Sequence, residues 1–393
     1  MLITVILIVL LALAGAWEFR RHQRNVAAVP LRIHVNGTRG KSSVTRLIAA
    51  GMRAGGRRTL AKTTGTKPRI ILPDGSEKPI HRAGKANIIE QLMVFRQAVD
   101  QSAEAIVMEC MAVQPPLQLL AEHKMVKSSV GVLTNARADH LDEMGPTVEA
   151  VARSLCSTLP HNGTAFTSER VQLPVIEEQG RKVNCKVVPV APQEVSDEMM
   201  TGFPYLEHKD NVALALAVCR HLGVGEKTAL AGMHAAAPDP GVLRVFRVAE
   251  PGKEVEFVNA FAANDPDSYA IIWELIAPFR APGKKLIVLV NARADRIQRS
   301  EQMGEFIAAR EADHYVIAGM HTGALANKAI AAGLAADRVV DMRNSRAEEI
   351  FEQVLSLTAS RSLVIGIGNI VGLGEKIVAH FANRGGEVDY RSR

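Results

Sequence analysis

Leu31-Arg32-Ile33-His34-Val35-Asn36-Gly37-Thr38-Arg39-Gly40-Lys41-Ser42-Ser43 is the stretch on which the reading of this chain turns. An apolar strand, Leu31–Val35, runs into a G-x-x-G-K-S loop, and a helix is expected over Lys41–Ala54. Glycines at such a turn let successive backbone N–H groups face phosphate oxygens, and the helix N-terminus adds a favourable dipole. A lysine there reaches the β- and γ-phosphates, and the following serine ligates Mg²⁺. Gly37, Thr38, Arg39, Gly40, Lys41, Ser42 and Ser43 are therefore the candidate ATP-binding residues. The usual loop is G-x-x-x-x-G-K-[ST]. This one is shorter between its glycines.

Outward from the loop, strands and helices alternate. Ala105–Met108 and Ser129–Thr134 read as apolar strands, Val148–Thr158 and Asn211–Leu222 as helices. Continuous apolar strands between helices imply a parallel sheet covered on both faces. A Pro/Gly cluster at 237–241 breaks the rhythm. Beyond it Val255–Asn259, Leu286–Val290, His314–Ala318, Arg338–Val340 and Leu363–Ile367 read as the strands of a second, Rossmann-like unit. The string Asn-Ala-Arg-Ala-Asp occurs at 135–139 and again at 291–295, each time after an apolar strand.

Inward toward the N-terminus, residues 1–17 carry no charge. At about 1.5 Å per residue they make a short membrane-spanning helix. Trp17 and Phe19 stand where interfacial aromatics stand, and Arg20, Arg21 and Arg24 follow, placing the body in the cytoplasm by the positive-inside rule. A buried core helix is the other reading, and Ala12-Leu13-Ala14 has the form of a signal-cleavage site. The expected organisation is an anchor over 1–19, a basic linker over 20–30, an ATPase domain over 31–240 and a C-terminal domain over 241–393.

Composition is that of a globular protein: 393 residues, 47% hydrophobic and 22% charged, which excludes a disordered or fibrous chain. Net charge is +6, suited to an anionic ligand, but aromatics are only 4%, so a nucleic-acid stacking platform is not expected. The four cysteines lack C-x-x-C spacing and read as reduced, buried thiols.

Two further groups fall at strand ends. Glu109 follows Ala105–Met108, and Asp139-His140 follows the strand ending at Thr134-Asn135. In parallel sheets such positions converge on the edge that carries the phosphate loop. Glu109 and His140, with Ser42, are the candidate metal ligands, and Lys41, Glu109 and His140 the candidate catalytic residues.

Taken together, Gly37–Ser43, Glu109, Thr134-Asn135, Asp139-His140, Met144-Gly145 and Asp210-Asn211 resemble the ATPase domain of the Mur ligase superfamily. Within it, the anchor, Lys62-Thr63-Thr64-Gly65-Thr66, Glu109-Cys110-Met111-Ala112-Val113, Phe261-Ala262-Ala263-Asn264-Asp265 and Gly366-Ile367-Gly368-Asn369-Ile370 resemble the catalytic subunits of poly-γ-glutamate synthases. The resemblance implies an α/β fold: a transmembrane helix, a Mur-ligase-type P-loop domain with a parallel sheet, then a Rossmann-like domain. It implies that Asn211 contacts adenine, and that Arg244 and Asn259 close over the nucleotide. Two departures stand out. No lysine occurs between Lys127 and Lys182 to supply a carbamylated metal ligand. The Asp-Tyr-Ala-His-Asn-Pro string of Mur ligases appears as Asn259-Ala260-Phe261-Ala262-Ala263-Asn264.

The resemblance implies an ATP- and Mg²⁺-dependent amide ligase that adds glutamate to a growing polyglutamate chain beside small membrane subunits for export. Lys62, Thr63, Thr64 and Thr66 are candidates for holding the chain; Arg293, Asp295 and Arg296 for holding the incoming amino acid. The loop lies close behind the anchor, leaving no room before it for a UDP-sugar-binding domain. A folylpolyglutamate-type ligase, another Mur-type ligase and a P-loop ATPase subunit gating a membrane complex are the competing readings.

Overall fold

The computed structural model describes residues 2–65, 68–82, 84, 86–203, 205, 207–239, 243–261, 266–292 and 297–388. Two compact units emerge, Met1–Phe203 with Glu207–Asp239, and Pro204–Leu206 with Pro240–Arg393.

The first unit opens with one unbroken helix, α1 (Leu2–Ala28). It continues through β1 (Leu31–Asn36), α2 (Lys41–Ala54), β2 (Thr59–Thr63), β3 (Arg69–Ile71), β4 (Glu77–Pro79), α3 (Glu90–Asp100) and β5 (Ala105–Glu109). Then come α4 (Pro115–Leu120), continued by a π-helical turn at Ala121–Val126, β6 (Val130–Leu133), α5 (Leu141–Met144), α6 (Val148–Leu155), β7 (Thr164–Thr167), α7 (Leu173–Lys182), β8 (Lys186–Pro189), α8 (Asp197–Thr201), α9 (Lys209–His221) and α10 (Glu226–His234). The strands form one sheet in the order β4-β3-β2-β5-β1-β6-β7-β8. All neighbours are parallel except the β2-β3 and β3-β4 pairs.

The middle of this sheet is covered on both faces. Val26 and Val29 from the N-terminal segment join Phe95 and Ala98 of α3 over Leu60, Ile106 and Met108 on one face. On the other, α2 packs so closely on α9 and α10 that a Cβ on Gly51 would lie 2.7 Å from the Cys219 sulfur, and one on Gly232 2.6 Å from the Ala50 carbonyl oxygen. The chain leaves β1 to α2 on one face and β5 to α4 on the other. The crevice outside the carboxyl ends of β1 and β5 is thus a topological switch point, where α/β sheets bind ligands.

The stretch expected as a linker over 20–30 is instead helix as far as Ala28. His22 and Val26, spaced i, i+4, are its buried face. His22 Nε2 lies 2.8 Å from the Met125 carbonyl oxygen, and Gln23 donates to that of Lys124 at 2.8 Å. The β2–β4 ribbon carries Lys62 on a wholly buried strand.

The second unit contains β9 (Arg244–Glu250), β10 (Lys253–Ala260), α11 (Pro266–Leu275), β11 (Lys285–Ala292), α12 (Ile297–Ala308), β12 (His314–Gly319), α13 (Thr322–Ala331), β13 (Val339–Arg343), α14 (Ala347–Leu357), β14 (Arg361–Gly368), α15 (Leu373–Asn383) and β15 (Gly385–Glu387). Its sheet runs β13-β12-β11-β14-β10-β9-β15, parallel but for β9, which is antiparallel to both β10 and β15. All four cysteines are free and buried.

Candidate active site

The site is assembled by strand register. Val35 pairs with Glu109 and Asn36 with Leu133, so the phosphate loop, Glu109 and Thr134 leave the sheet at one level. Gly37 has φ +132° and Gly40 φ +80°, backbone that side-chain-bearing residues rarely adopt. Space forbids a side chain as well. A Cβ on Gly37 would lie 2.0 Å from the Thr134 hydroxyl oxygen, and one on Gly40 2.6 Å from Asn211 Oδ1.

Thr134 and Asn135 hold the loop from the next strand. The Thr38 N–H donates to the Asn135 carbonyl oxygen at 2.9 Å, and the Thr38 hydroxyl and Arg39 N–H donate to Asn135 Oδ1 at 2.6 and 3.1 Å. The Thr134 hydroxyl donates to the Arg39 carbonyl oxygen at 2.6 Å. The first copy of the repeated pentapeptide is thus a loop clamp, a role its sequence does not announce. In the second copy, Asn291 donates to the Asn369 carbonyl oxygen at 2.6 Å.

The Lys41 ammonium donates to the Gly37 and Thr38 carbonyl oxygens at 2.6 and 3.2 Å, folded over its own loop. Burial lowers its pKa, and the Glu109 carboxylate works against that shift. The Ser42 hydroxyl donates to Glu109 Oε2 at 2.8 Å, and the Thr64 N–H donates to the same oxygen at 2.6 Å. Glu109 is 2% exposed. One carboxylate therefore ties α2 and the segment after β2 to the end of β5.

Hard oxygen donors of this kind suit Mg²⁺, which keeps most of its shell for water and phosphate and needs one or two protein oxygens. Ser42 Oγ and Glu109 fit that requirement. Among the described residues, no group of three or more His, Cys, Asp and Glu side chains is gathered to hold a metal ion by itself. His140 caps α5 in the left-handed region, with its Nε2 3.9 Å from Asp139 Oδ1. Asp139 Oδ2 also faces the Arg39 guanidinium at 3.3 Å.

Asn211, on the first turn of α9, lies against Gly40 and donates to Glu207 Oε1 at 2.7 Å. Burial pushes the Glu207 carboxyl up to about 7, against the hydrogen bonds from Asn211 and the His208 N–H. Lys62 is wholly buried, 3.3 Å from Glu90 Oε2, and burial lowers its pKa against the pull of Glu90. Arg82 grips the same carboxylate at 2.5 and 3.0 Å. Glu90 and Arg82 carry no motif and are found only in the folded chain. Thr63 is buried, its hydroxyl accepting from the Arg69 N–H at 3.3 Å. Arg244 opens β9 in the second unit, its guanidinium 3.7 Å from Glu387. Thr66, Arg293, Asp295 and Arg296 lie outside the described residues, as do residues 262–265 of the Phe261–Asp265 string.

The Mur ligase middle domain matches residues 35–237, and the poly-gamma-glutamate synthase CapB C-terminal domain matches residues 245–384. The chain is 39% identical over 373 residues to the capsule biosynthesis protein CapB of Bacillus anthracis, covering 94% of this chain and 80% of that one. It is 35% identical over 381 residues to the PGA synthase CapB of Bacillus subtilis (strain 168), covering 96% and 97%. Among solved structures, the bifunctional folylpolyglutamate synthase/dihydrofolate synthase of Yersinia pestis c092, complexed with AMPPNP and Mn, superposes with TM-score 0.68 at 16% identity over 93% of this chain and 92% of that one. MurF from Acinetobacter baumannii does so with TM-score 0.66 at 15% identity over 93% and 79%. The structural likenesses carry the fold, the sequence matches carry the relationship, and on both the chain belongs to the CapB family of poly-γ-glutamate synthases within the Mur ligase superfamily.

Proposed function

We propose that this chain, an ATP-dependent amide ligase by family, polymerises glutamate into poly-γ-glutamate at the cytoplasmic face of a membrane through an acyl-phosphate. The observation that carries the reading is the grouping of Lys41, Ser42 and Glu109 at the switch point of the first sheet. A γ-carboxylate oxygen attacks the γ-phosphorus of ATP, the bond from that phosphorus to the β,γ-bridging oxygen breaks, and ADP leaves. The amine of the next glutamate then attacks the acyl carbon. The carbon–oxygen bond to phosphate breaks, phosphate leaves, and the nitrogen sheds a proton to water.

This chain's residues position the reactants and balance charge. The loop N–H groups and Lys41 hold the phosphates. Ser42 and Glu109 would hold Mg²⁺, and His140 would ligate a second divalent ion. A bound divalent ion supplies Lewis-acid stabilisation of the charge developing on the transferring phosphoryl group. Asn211 serves the adenine, and Lys62, Thr63, Thr64 and Thr66 serve the growing chain. In the second unit, Arg244 with Arg293, Asp295 and Arg296 serves the nucleotide and the incoming amino acid.

Helix α1 is long and apolar enough to cross a membrane, and none of its apolar stretch is buried. The reading makes it the anchor, keeps the body in the cytoplasm, and gives the enzyme small membrane partners for export. Membranes carrying the protein, supplied with Mg-ATP and labelled glutamate, should make polymer that a γ-glutamyl hydrolase cuts and ordinary proteases leave whole. ADP release that requires a folate or a UDP-sugar would point to another Mur-type ligase.

A further inference from the structure

The direction of α1 fixes which face of the first unit meets the bilayer. This step rests on α1 being the anchor. The helix has no break between its apolar stretch and the body. From Trp17 to the buried His22 is about 7.5 Å at 1.5 Å per residue. The His22 ring packs edge-on against Phe95, 5.5 Å between centroids. The body is clamped to the anchor close below the lipid, not tethered to it.

Three rulers give the orientation. First, His22 meets Phe95, and the Leu31 N–H donates to the Glu104 carbonyl oxygen. Both pairs are separated by the same number of residues, so α3 runs parallel beside α1 with its N-terminus toward the bilayer. Ile89 and Met93, 59% and 48% exposed, then stand level with Ala16 and Arg20. Second, β1 follows α1 after a short turn and runs back antiparallel to it. From Leu31 to Asn36 it climbs about 17 Å at 3.3 Å per residue, about eleven residues of helix, which brings the phosphate loop to the level of residue 20. Third, Asn36 Nδ2 donates to Gln118 Oε1 at 2.8 Å, setting the middle of α4 near the same level, before the chain descends to Met125 beside His22. Leu117, Leu119 and Leu120 are exposed there.

We infer that the carboxyl edge of the first sheet, with its phosphate loop, faces the inner lipid surface, and that Ile89, Met93, Leu117, Leu119 and Leu120 form an apolar rim entering the headgroup region around the anchor. Exposed apolar side chains grouped at one level mark an interaction surface. Their continuity with Trp17 and Phe19, and the arginines at 20, 21 and 24 beside them, select anionic lipid as the occupant. The ligase edge thereby releases its polymer at the membrane surface.

The test uses the full chain in anionic nanodiscs free of other proteins, with an environment-sensitive fluorophore on Leu11→Cys, Met93→Cys, Leu119→Cys or Arg57→Cys in turn. The native cysteines are buried, and Arg57 is exposed beyond the C-terminal end of α2, at the opposite edge of the sheet. Spin-labelled lipids should quench positions 11, 93 and 119 and leave 57 bright. Quenching at 11 alone, with 93 and 119 as bright as 57, would leave the anchor standing and overturn the lipid-facing edge. No quenching at 11 would remove the anchor and this inference with it.

Discussion

The Ser42 hydroxyl and the Glu109 carboxylate are joined across the switch point of the first sheet by a 2.8 Å hydrogen bond. With the Thr64 N–H on the same carboxylate oxygen, Glu109 holds the start of α2 in place and sets a negative charge beside the Ser42 hydroxyl.

Glu109→Gln keeps the shape and removes the charge. Turnover should fall by about 10² or more while stability shifts by about 1 kcal/mol. The metal concentration giving half-maximal ADP release should rise. His140→Ala should shift that metal titration more than it weakens ATP binding. Titration curves that overlay the parent in both variants would count against the two residues as ligands.

Lys41→Ala removes an ammonium that bonds, among the described residues, to its own loop's carbonyls. ADP release should drop by about 10³ or more, because the charge that meets the phosphates is gone. The thermal transition should move little. ADP release near the parent rate would refute the assignment of this loop to the nucleotide.

Gly40→Ala tests the geometry of the loop. The added methyl meets Asn211 Oδ1 at 2.6 Å, and φ of +80° strains any L residue. A loss of about 1–3 kcal/mol in stability, with weaker ATP binding, is expected. Adding Asn211→Ala should restore part of the stability only, since the backbone strain remains. Full restoration would mean that the clash alone matters.

The phosphate loop was legible because strand, glycine, lysine and serine fall in one short run whose chemistry has few other uses. Glu109 was legible from its place at a strand end. The helical nature of residues 20–28 was hidden by Arg20, Arg21 and Arg24, which read as a solvated linker. The buried stripe of His22 and Val26 was present but short. The burial of Lys62 is not legible in the run Lys62-Thr63-Thr64-Gly65-Thr66. Its burial depends on Glu90, which no local pattern links to it. Asn135 opens a visible repeat, yet its grip on Thr38 and Arg39 arises from strand pairing.

Glu207 makes stability depend on pH. Burial raises its pKa from 4.5 to about 7 in the folded chain. A raised folded-state pKa gives stability that is full below about 4.5 and lost as pH climbs through 7. The loss at pH 8 amounts to about 3 kcal/mol at most. Glu207→Gln keeps an acceptor for Asn211 and should flatten the melting temperature between pH 5 and 8, raising it at the alkaline end. A pH slope equal to the parent's would show that Glu207 is not the group responsible.

The acyl-phosphate is the central claim, and oxygen-18 tests it most directly. Glutamate labelled in its γ-carboxylate oxygens, polymerised with unlabelled Mg-ATP, should place one heavy oxygen in the inorganic phosphate released with each bond, and ADP should be unlabelled. Heavy oxygen in AMP, or unlabelled phosphate alongside normal polymer, would contradict it.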